Sequence, residues 1–124
     1  MIVEDDRPTS ALLRAMLEGE SCLVEVAYDG EEAMARLGKS RYDLILLDIS
    51  LPKRLSGADI LQHLSLHDPD QLTRVIVVTG MDVSEIRKLF PTICHAFGKP
   101  VIPSRVLSYV RSCIGIGGPD APVR

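Results

Sequence analysis

The sequence contains no Trp, and Phe, Trp and Tyr together make up only 4% of its 124 residues. That scarcity removes the stacking platforms on which single-stranded nucleic acid is held. Basic residues are scattered as well as outnumbered: 14 Lys and Arg stand against 17 Asp and Glu, a formal charge of −3. The longest basic runs are Lys53-Arg54 and Arg87-Lys88, too short to displace counterions along a phosphate backbone, so no direct nucleic-acid partner is expected. Cysteine is sparse too. Cys22, Cys94 and Cys113 cannot all pair and show no CxxC spacing, so neither a disulfide framework nor a zinc site is expected, and a reducing cytoplasm is the expected compartment. No apolar run approaches the roughly eighteen residues of a membrane span, so no membrane partner is expected, and Glu4-Asp5-Asp6 arrives too early for a signal peptide. With 46% hydrophobic and 25% charged residues, the composition is that of one globular domain.

Short apolar runs rich in Val, Ile and Leu recur along the chain: Ile2-Val3, Cys22 to Ala27, Leu44 to Leu47, Val75 to Val78, and a weaker Cys94 to Phe97. Their hydrophobicity is continuous rather than alternating, which means burial on both faces, as in a parallel sheet covered by helices. Helical spacing fills the intervals. Leu12, Leu13, Met16 and Leu17 follow Pro8 and end at Gly19, and Ala33, Met34 and Leu37 precede Gly38, placed for a left-handed cap. Ile60, Leu61 and Leu64 mark a third helix ended before Pro69, and Val83, Ile86, Leu89 and Phe90 a fourth stopped by Pro91. Val106, Leu107, Val110 and Ile114 mark a fifth that starts near Pro103. Five βα units of this kind predict a doubly wound α/β sheet with five flanking helices and ligands bound beyond the carboxyl ends of the strands. Residues 115–124 carry Gly and Pro without an apolar period and read as a flexible tail or linker stub, so the domain is expected over 1–114.

Polar residues gather where the strands end: Glu4, Asp5 and Asp6 after the first, Asp48 after the third, Thr79 after the fourth and Lys99 after the fifth. Taken singly, each has an ordinary explanation as a cap, a strand residue or a loop lysine. Taken together they share one rim of a parallel sheet, and Asp48 ends the apolar run Leu44-Ile45-Leu46-Leu47. Two carboxylates about 4 Å apart repel by roughly 4 kcal/mol at an effective dielectric near 20, so Glu4, Asp5 and Asp48 need a cation or protons. Mg²⁺ fits, with Mn²⁺ as a substitute, because it takes hard oxygen ligands and leaves positions for water and phosphate. An acid-bound cation with the Lys99 ammonium and the Thr79 hydroxyl makes a place for a phosphoryl group, with Asp48 as nucleophile.

These segments resemble the receiver domain of bacterial two-component response regulators. The resemblance covers Ile2 to about Ile114 and is carried by Ile2-Val3-Glu4-Asp5-Asp6, Asp43 to Pro52, Val75-Ile76-Val77-Val78-Thr79-Gly80 and Gly98-Lys99-Pro100, in order and with βα spacing. It implies a flavodoxin-like fold of sheet order 2-1-3-4-5, and transfer of a phosphoryl group from the phosphohistidine of a sensor histidine kinase or phosphotransfer protein onto Asp48. Glu4 and Asp5 match the family's acidic pair, with Asp5 the direct Mg²⁺ ligand, and the main-chain carbonyl of Ser50 completes the protein's share of the metal sphere. Thr79 follows the phosphoryl group and Lys99 pairs with its oxygens. The resemblance further implies output to an effector or a second copy through the fourth helix, fifth strand and fifth helix, and a signalling domain with only slight self-catalysis. Asp6, one place beyond the pair, reads as a helix cap. Gly80 is small, as the phosphoryl site requires.

The sequence departs from the family in several places. Receivers usually carry an aromatic residue three places before the Lys; here that place is Ala96, with Phe97 one residue closer. Either Phe97 serves in a shifted register or the aromatic part of the switch is absent. The loop Lys53-Arg54-Leu55-Ser56 is one residue longer than usual, and its two cations read either as a solvated loop or as a steering surface for an acidic partner. Ser50 and Met81 stand at places that tune phosphoryl lifetime. His63 and His67 share a helix face without a third ligand, and His95 reads as a strand-end residue. Only Met1-Ile2-Val3 precede the acids, where about five residues are usual for a strand, which fits a trimmed segment of a longer regulator or hybrid kinase. Two alternatives remain: a phosphorylation-independent receiver-like scaffold, and an aspartyl-phosphate phosphatase. The second lacks its general acid and base, because Ser50 stands where such enzymes place a second Asp.

Overall fold

A computed structural model describes residues 1–52, 54–80 and 82–114. Strands and helices alternate in the order β1 (Ile2–Val3), α1 (Arg7–Gly19), β2 (Val26–Ala27), α2 (Gly30–Leu37), β3 (Ile45–Asp48), α3 (Gly57–His67), α4 (Pro69–Leu72), β4 (Val75–Thr79), α5 (Val83–Leu89), β5 (His95–Gly98) and α6 (Pro103–Ile114). The strands form one parallel sheet of order 2-1-3-4-5. That is the expected doubly wound architecture, with one helix more than the five expected.

The continuous apolar runs are explained by two cores, one on each face of the sheet. Val3, Ile45, Leu47, Val75 and Val77 point to the face covered by α2, α3, α4 and α5, where Ala33, Ile60, Leu61, Leu64 and Ile86 close the layer. Ile2, Leu46, Ile76 and Val78 point to the other face, closed by Leu13 and Leu17 of α1 and Val106 and Val110 of α6. Every second strand residue therefore belongs to the same core, as the two-residue strand period requires. Among the described residues, no helix is long and apolar enough to cross a membrane.

The extra helix is the single turn α4. Asp68 closes α3 through its backbone N–H to the Leu64 carbonyl, and its side chain then accepts from Gln71 N to open α4, with Pro69 in the first turn. One turn is too short to leave an apolar period, so the sequence pattern shows only the stop before Pro69. Gln71 is buried and clamps Tyr42 on both sides: Tyr42 N donates to Gln71 Oε1 at 2.8 Å, and Gln71 Nε2 donates to Tyr42 O at 2.9 Å. This pairing fixes the chain where it enters β3.

Other expectations shift at their edges. The strand expected over Cys22 to Ala27 is ordered as β only at Val26–Ala27, the two residues that pair with Ile2 and Val3. Upstream of it, Ser21 adopts a positive φ of 63° and Cys22 N bonds to the Leu17 carbonyl, holding that segment to the end of α1 instead. Gly38 caps α2 in right-handed geometry, φ −70°, rather than left-handed. Leu12 and Leu89, both expected on buried helix faces, are exposed. Four apolar residues within one and a half turns cannot all face inward, and Leu13 and Leu17 take the buried stripe in α1.

The cysteine expectation is corrected in part: the three do not all pair, as expected, but two of them do. Cys94, just before β5, and Cys113, in the last turn of α6, form a disulfide with Cα atoms 6.1 Å apart, leaving Cys22 free. A spacing of 19 residues matches no local cysteine motif, because it is the packing of α6 along β5 that brings the two together. The tail expected over 115–124 lies outside the described residues, as do Lys53 and Met81.

Candidate functional site

The carboxyl ends of β1, β3 and β5 converge. Glu4 follows β1 and Asp48 ends β3, and each is 2% exposed. Asp5 is exposed beside them, and carboxylate oxygens of Glu4, Asp5 and Asp48 all lie within 4.8 Å of one another. Among the described residues this is the only such group of three or more metal-ligating side chains.

Asp48 is gripped at both oxygens. Lys99 Nζ donates to Oδ2 at 3.0 Å, and Ser50 N donates to Oδ1 at 2.9 Å. The same ammonium lies 4.0 Å from Glu4 Oε1. Glu4 also accepts from Asp6 N at 3.1 Å. Burial pushes the Glu4 carboxyl up to about 7, against the Asp6 backbone N–H that favours its charge; the neighbouring Asp48 charge adds to the rise and Lys99 opposes it. For Lys99, burial acts to lower the ammonium, but the Asp48 carboxylate, with Glu4 and Asp5 behind it, raises it on balance. One cation thus faces three acids, a deficit of positive charge at the floor of the site.

Thr79 ends β4 and is buried at 1% exposure. Lys99 N donates to the Thr79 carbonyl at 2.8 Å, so the backbone that carries the ammonium is tied to the strand that carries the hydroxyl. Lys99-Pro100 is a cis peptide. A Cβ added to Gly80 would meet nothing within 4 Å, leaving open space beside Thr79. The resulting cleft, about 520 Å³, is lined by the acids, Ser50 and Lys99 on its polar side and by Leu12, Pro100 and Val101 on its rim. Sequence reasoning missed Leu12 as a rim residue, and its place in the apolar stripe of α1 hid it. A larger cavity of about 860 Å³ lies at the opposite pole between Glu20–Glu25 and Ser40–Leu44, away from these groups.

Gly57 shapes the site from behind. Its N–H donates to the Ile49 carbonyl at 3.1 Å as the chain returns from the β3 end, and a Cβ there would stand 2.6 Å from the Asp48 carbonyl. Asp6 accepts from Thr9 N at 3.0 Å and caps α1, as expected of it. His63 and His67 stack on the exposed side of α3 with ring centroids 4.7 Å apart and no third ligand among the described residues. His95 opens β5, and burial, with Arg87 beside it, lowers its imidazole below the ordinary value. Arg54 is exposed in the segment between β3 and α3.

The two readings of the aromatic position separate here. Ala96 pairs with Val77 and shares the core with Ile86, Phe90 and Ile93, on the side of the sheet toward which Val75, Val77 and, by alternation, Thr79 point. Phe97 pairs with Val78 and packs into the opposite core against Tyr109 of α6, ring centroids 5.3 Å apart. Ala96, and not Phe97, therefore lies on the side of the sheet that Thr79 faces.

A parallel α/β sheet of order 2-1-3-4-5 with a buried acidic pocket and an opposing lysine at its carboxyl edge has the architecture of a receiver-like domain. The family model for the response regulator receiver domain matches residues 1–109, and the chain belongs to that family. The Escherichia coli (strain K12) transcriptional regulatory protein CpxR is 45% identical over 80 residues, 64% of this chain and 32% of that protein. A putative transcriptional regulator of Haloferax volcanii is 32% identical over 124 residues, 100% of this chain and 20% of its own length. The chain thus spans about a third or less of these curated relatives. Among solved structures, a CheY-like receiver domain protein from Methanospirillum hungatei superposes with a TM-score of 0.79 at 28% identity, covering 91% of this chain and 90% of that one. The receiver domain of a signal transduction histidine kinase from Syntrophus aciditrophicus gives 0.77 at 28% identity, covering 91% and 86%.

Proposed function

We propose that Asp48 accepts a phosphoryl group from the phosphohistidine of a sensor histidine kinase or phosphotransfer protein, and that the domain, residues 1–114, passes the change to a partner. The observation that carries this reading is the grip on Asp48: a nearly unexposed carboxylate held by Lys99 at 3.0 Å within a trio of acids. A carboxylate pinned in this way has one open direction, toward the cleft. Attack by an Asp48 oxygen forms an O–P bond while the P–N bond breaks and its electron pair returns to the imidazole.

The donor set fits Mg²⁺, or Mn²⁺ in its place: hard carboxylate oxygens from Asp5 and Asp48, the main-chain carbonyl of Ser50, and Glu4 behind them. When bound, the ion supplies neutralising charge to the oxygens of the transferring group. Lys99 then shifts its interaction from Asp48 Oδ2 toward the new phosphoryl oxygens, and the Thr79 hydroxyl donates to them. Because Lys99 N is bonded to Thr79 O, both responses pull on the ends of β4 and β5. The α5, β5 and α6 surface is the proposed contact for an effector or a second copy.

The domain is a switch in the cytoplasm rather than a turnover enzyme, with no nucleic acid or membrane of its own to bind. Ser50 stands two places beyond Asp48 and offers no base to activate water. Incubation with Mg²⁺ and a small phosphodonor, followed by intact-mass measurement, tests all readings together. A base-labile single adduct on wild type, absent in Asp48→Asn, is expected. No adduct would favour the scaffold, and rapid multiple turnover the phosphatase.

A further inference from the structure

The three cysteines all pack against the core on the α1 and α6 side of the sheet. Two of them close a bridge between β5 and α6, at the end of β5 opposite Lys99. Alongside the bridge the same two elements meet through rings: His95 and Phe97 of β5 face Tyr109 of α6, with centroids 3.9 and 5.3 Å apart. The buried anchors of α6 are Val106 and Val110. Beyond Val110, the last turn has only partly buried or exposed residues, an exposed ion pair from Arg111 to Glu20 at 2.8 Å, and the Cys94–Cys113 bond. Exposed ion pairs hold little, and helix ends fray unless tied. The bridge is therefore the strongest attachment of that turn.

We propose that Cys94 and Cys113 are a reversible dithiol–disulfide site whose oxidation pins the last turn of α6 to β5, and that its reaction partners are dithiol reductants and disulfide oxidants. The inference rests on the cytoplasmic setting proposed above, where lasting disulfides are rare and those that form are usually transient or redox-sensing. Opening begins when a thiolate of the reductant attacks one sulfur and displaces the other as a thiolate. The second thiol of the reductant then resolves the mixed disulfide, so that the protein gains two thiols and the reductant leaves as a disulfide. Closure by a disulfide oxidant is the reverse: the protein's two thiols become the bridge, and their two electrons and two protons leave on the oxidant, which departs as thiols. Cys94 and Cys113 are both only partly buried residues rather than sealed in the core.

The placement gives the site a role. β5 carries Cys94 before its first residue and Lys99 after its last. Phosphoryl chemistry at Asp48 and redox chemistry at Cys94 therefore act on one strand from its two ends, and both bear on the α5, β5 and α6 surface.

The test equilibrates the full chain in glutathione buffers of graded oxidation, quenches with an alkylating reagent, and counts adducts by intact mass. Reduced protein should take three adducts, one on each cysteine, and oxidised protein one, on Cys22. The transition should fall within the buffer range and run the same in both directions. Hydrogen exchange should show protection of amides 110–114 falling on reduction while β3 and β4 are unchanged, and Cys94→Ser/Cys113→Ser should show the lower protection under both conditions. Three adducts at every ratio, a bridge that excess dithiol leaves intact in the folded chain, or exchange at 110–114 indifferent to redox state would each overturn the proposal. Asp48→Asn should titrate like wild type, so loss of phosphoacceptor activity and loss of the redox site are read separately. Alkylation after acid quenching of whole cells checks the compartment independently.

Discussion

Lys99 Nζ sits 3.0 Å from Asp48 Oδ2 and 4.0 Å from Glu4 Oε1, so one ammonium serves two buried carboxylates. Replacing it with Met keeps most of the side-chain volume and removes the charge. Both acids then lose their only close cation among the described residues, and the transferring group loses a donor. Lys99→Met should slow phosphorylation by a small phosphodonor by roughly 10²-fold, the usual scale for one lost donor to developing charge. Stopped-flow or mass-resolved time courses measure it, and an unchanged rate would remove Lys99 from the chemistry.

Glu4 gives the site a pH signature. Its carboxyl is raised from 4.5 to about 7 in the folded chain, so folding is favoured when Glu4 is protonated. That contribution is fully present below about 4.5, the unfolded value, and is lost as pH rises through 7. The metal-free domain should therefore melt at lower temperature at pH 8 than at pH 5.5, by several degrees. Glu4→Gln should flatten this part of the profile, and Mg²⁺ should stabilise wild type more at pH 8 than at pH 5.5. Thermal melts with and without Mg²⁺ decide it, and a Glu4→Gln profile parallel to wild type would count against the assignment.

Much of this site is legible in the sequence. Glu4, Asp48, Thr79 and Lys99 end strands whose continuous apolar runs mark a parallel sheet, and the ends of parallel strands share an edge by construction. What the pattern could not show were pairings made across the fold. Gln71 looks like an ordinary loop residue until its side chain is seen clamping Tyr42, because its partner lies 29 residues away and has no periodicity of its own. Cys94 and Cys113 are invisible to spacing rules for the same reason, since only the lie of α6 along β5 joins them. Sequence gives distance along β5 but not the face each residue takes, which the pairing of Ala96 with Val77 supplies.

Gln71→Ala should be among the most destabilising polar substitutions in the chain. It leaves the Tyr42 N–H and carbonyl without their partner at the entrance to β3 and opens a void where a buried side chain stood. Each abandoned group costs about 1–3 kcal/mol. A loss of about 2–4 kcal/mol in urea unfolding is expected, with phosphorylation of the folded fraction retained.

The β5 register makes opposite predictions for neighbouring residues. Phe97 fills the α6-side core, so Phe97→Ala should cost about 3–5 kcal/mol while leaving the rate of phosphorylation near that of wild type. Ala96 faces a closed core with Ile86, Phe90 and Ile93, so Ala96→Tyr overpacks it and should cost about 1–3 kcal/mol. A Phe97→Ala domain that stays stable, or an Ala96→Tyr domain that gains stability, would contradict the register.

Gly57 is the place where a single methyl group reaches the chemistry through the backbone. The chain leaves β3 at Asp48, runs through the long loop and comes back so closely that Gly57 N bonds to the Ile49 carbonyl. A Cβ at Gly57 would lie 2.6 Å from the Asp48 carbonyl and 2.6 Å from Ile49 Cα, and both obstacles are backbone, which cannot rotate away. Gly57→Ala must push the start of α3 outward or tilt the end of β3. The second route moves Asp48 relative to Lys99, whose position is set independently by its bond to Thr79. Small displacements at a reacting centre are costly, about 10²-fold for an ångström. Gly57→Ala should therefore lower the phosphorylation rate by roughly ten- to a hundredfold with a smaller loss of stability. A variant that phosphorylates at the wild-type rate would mean that α3, not β3, yields.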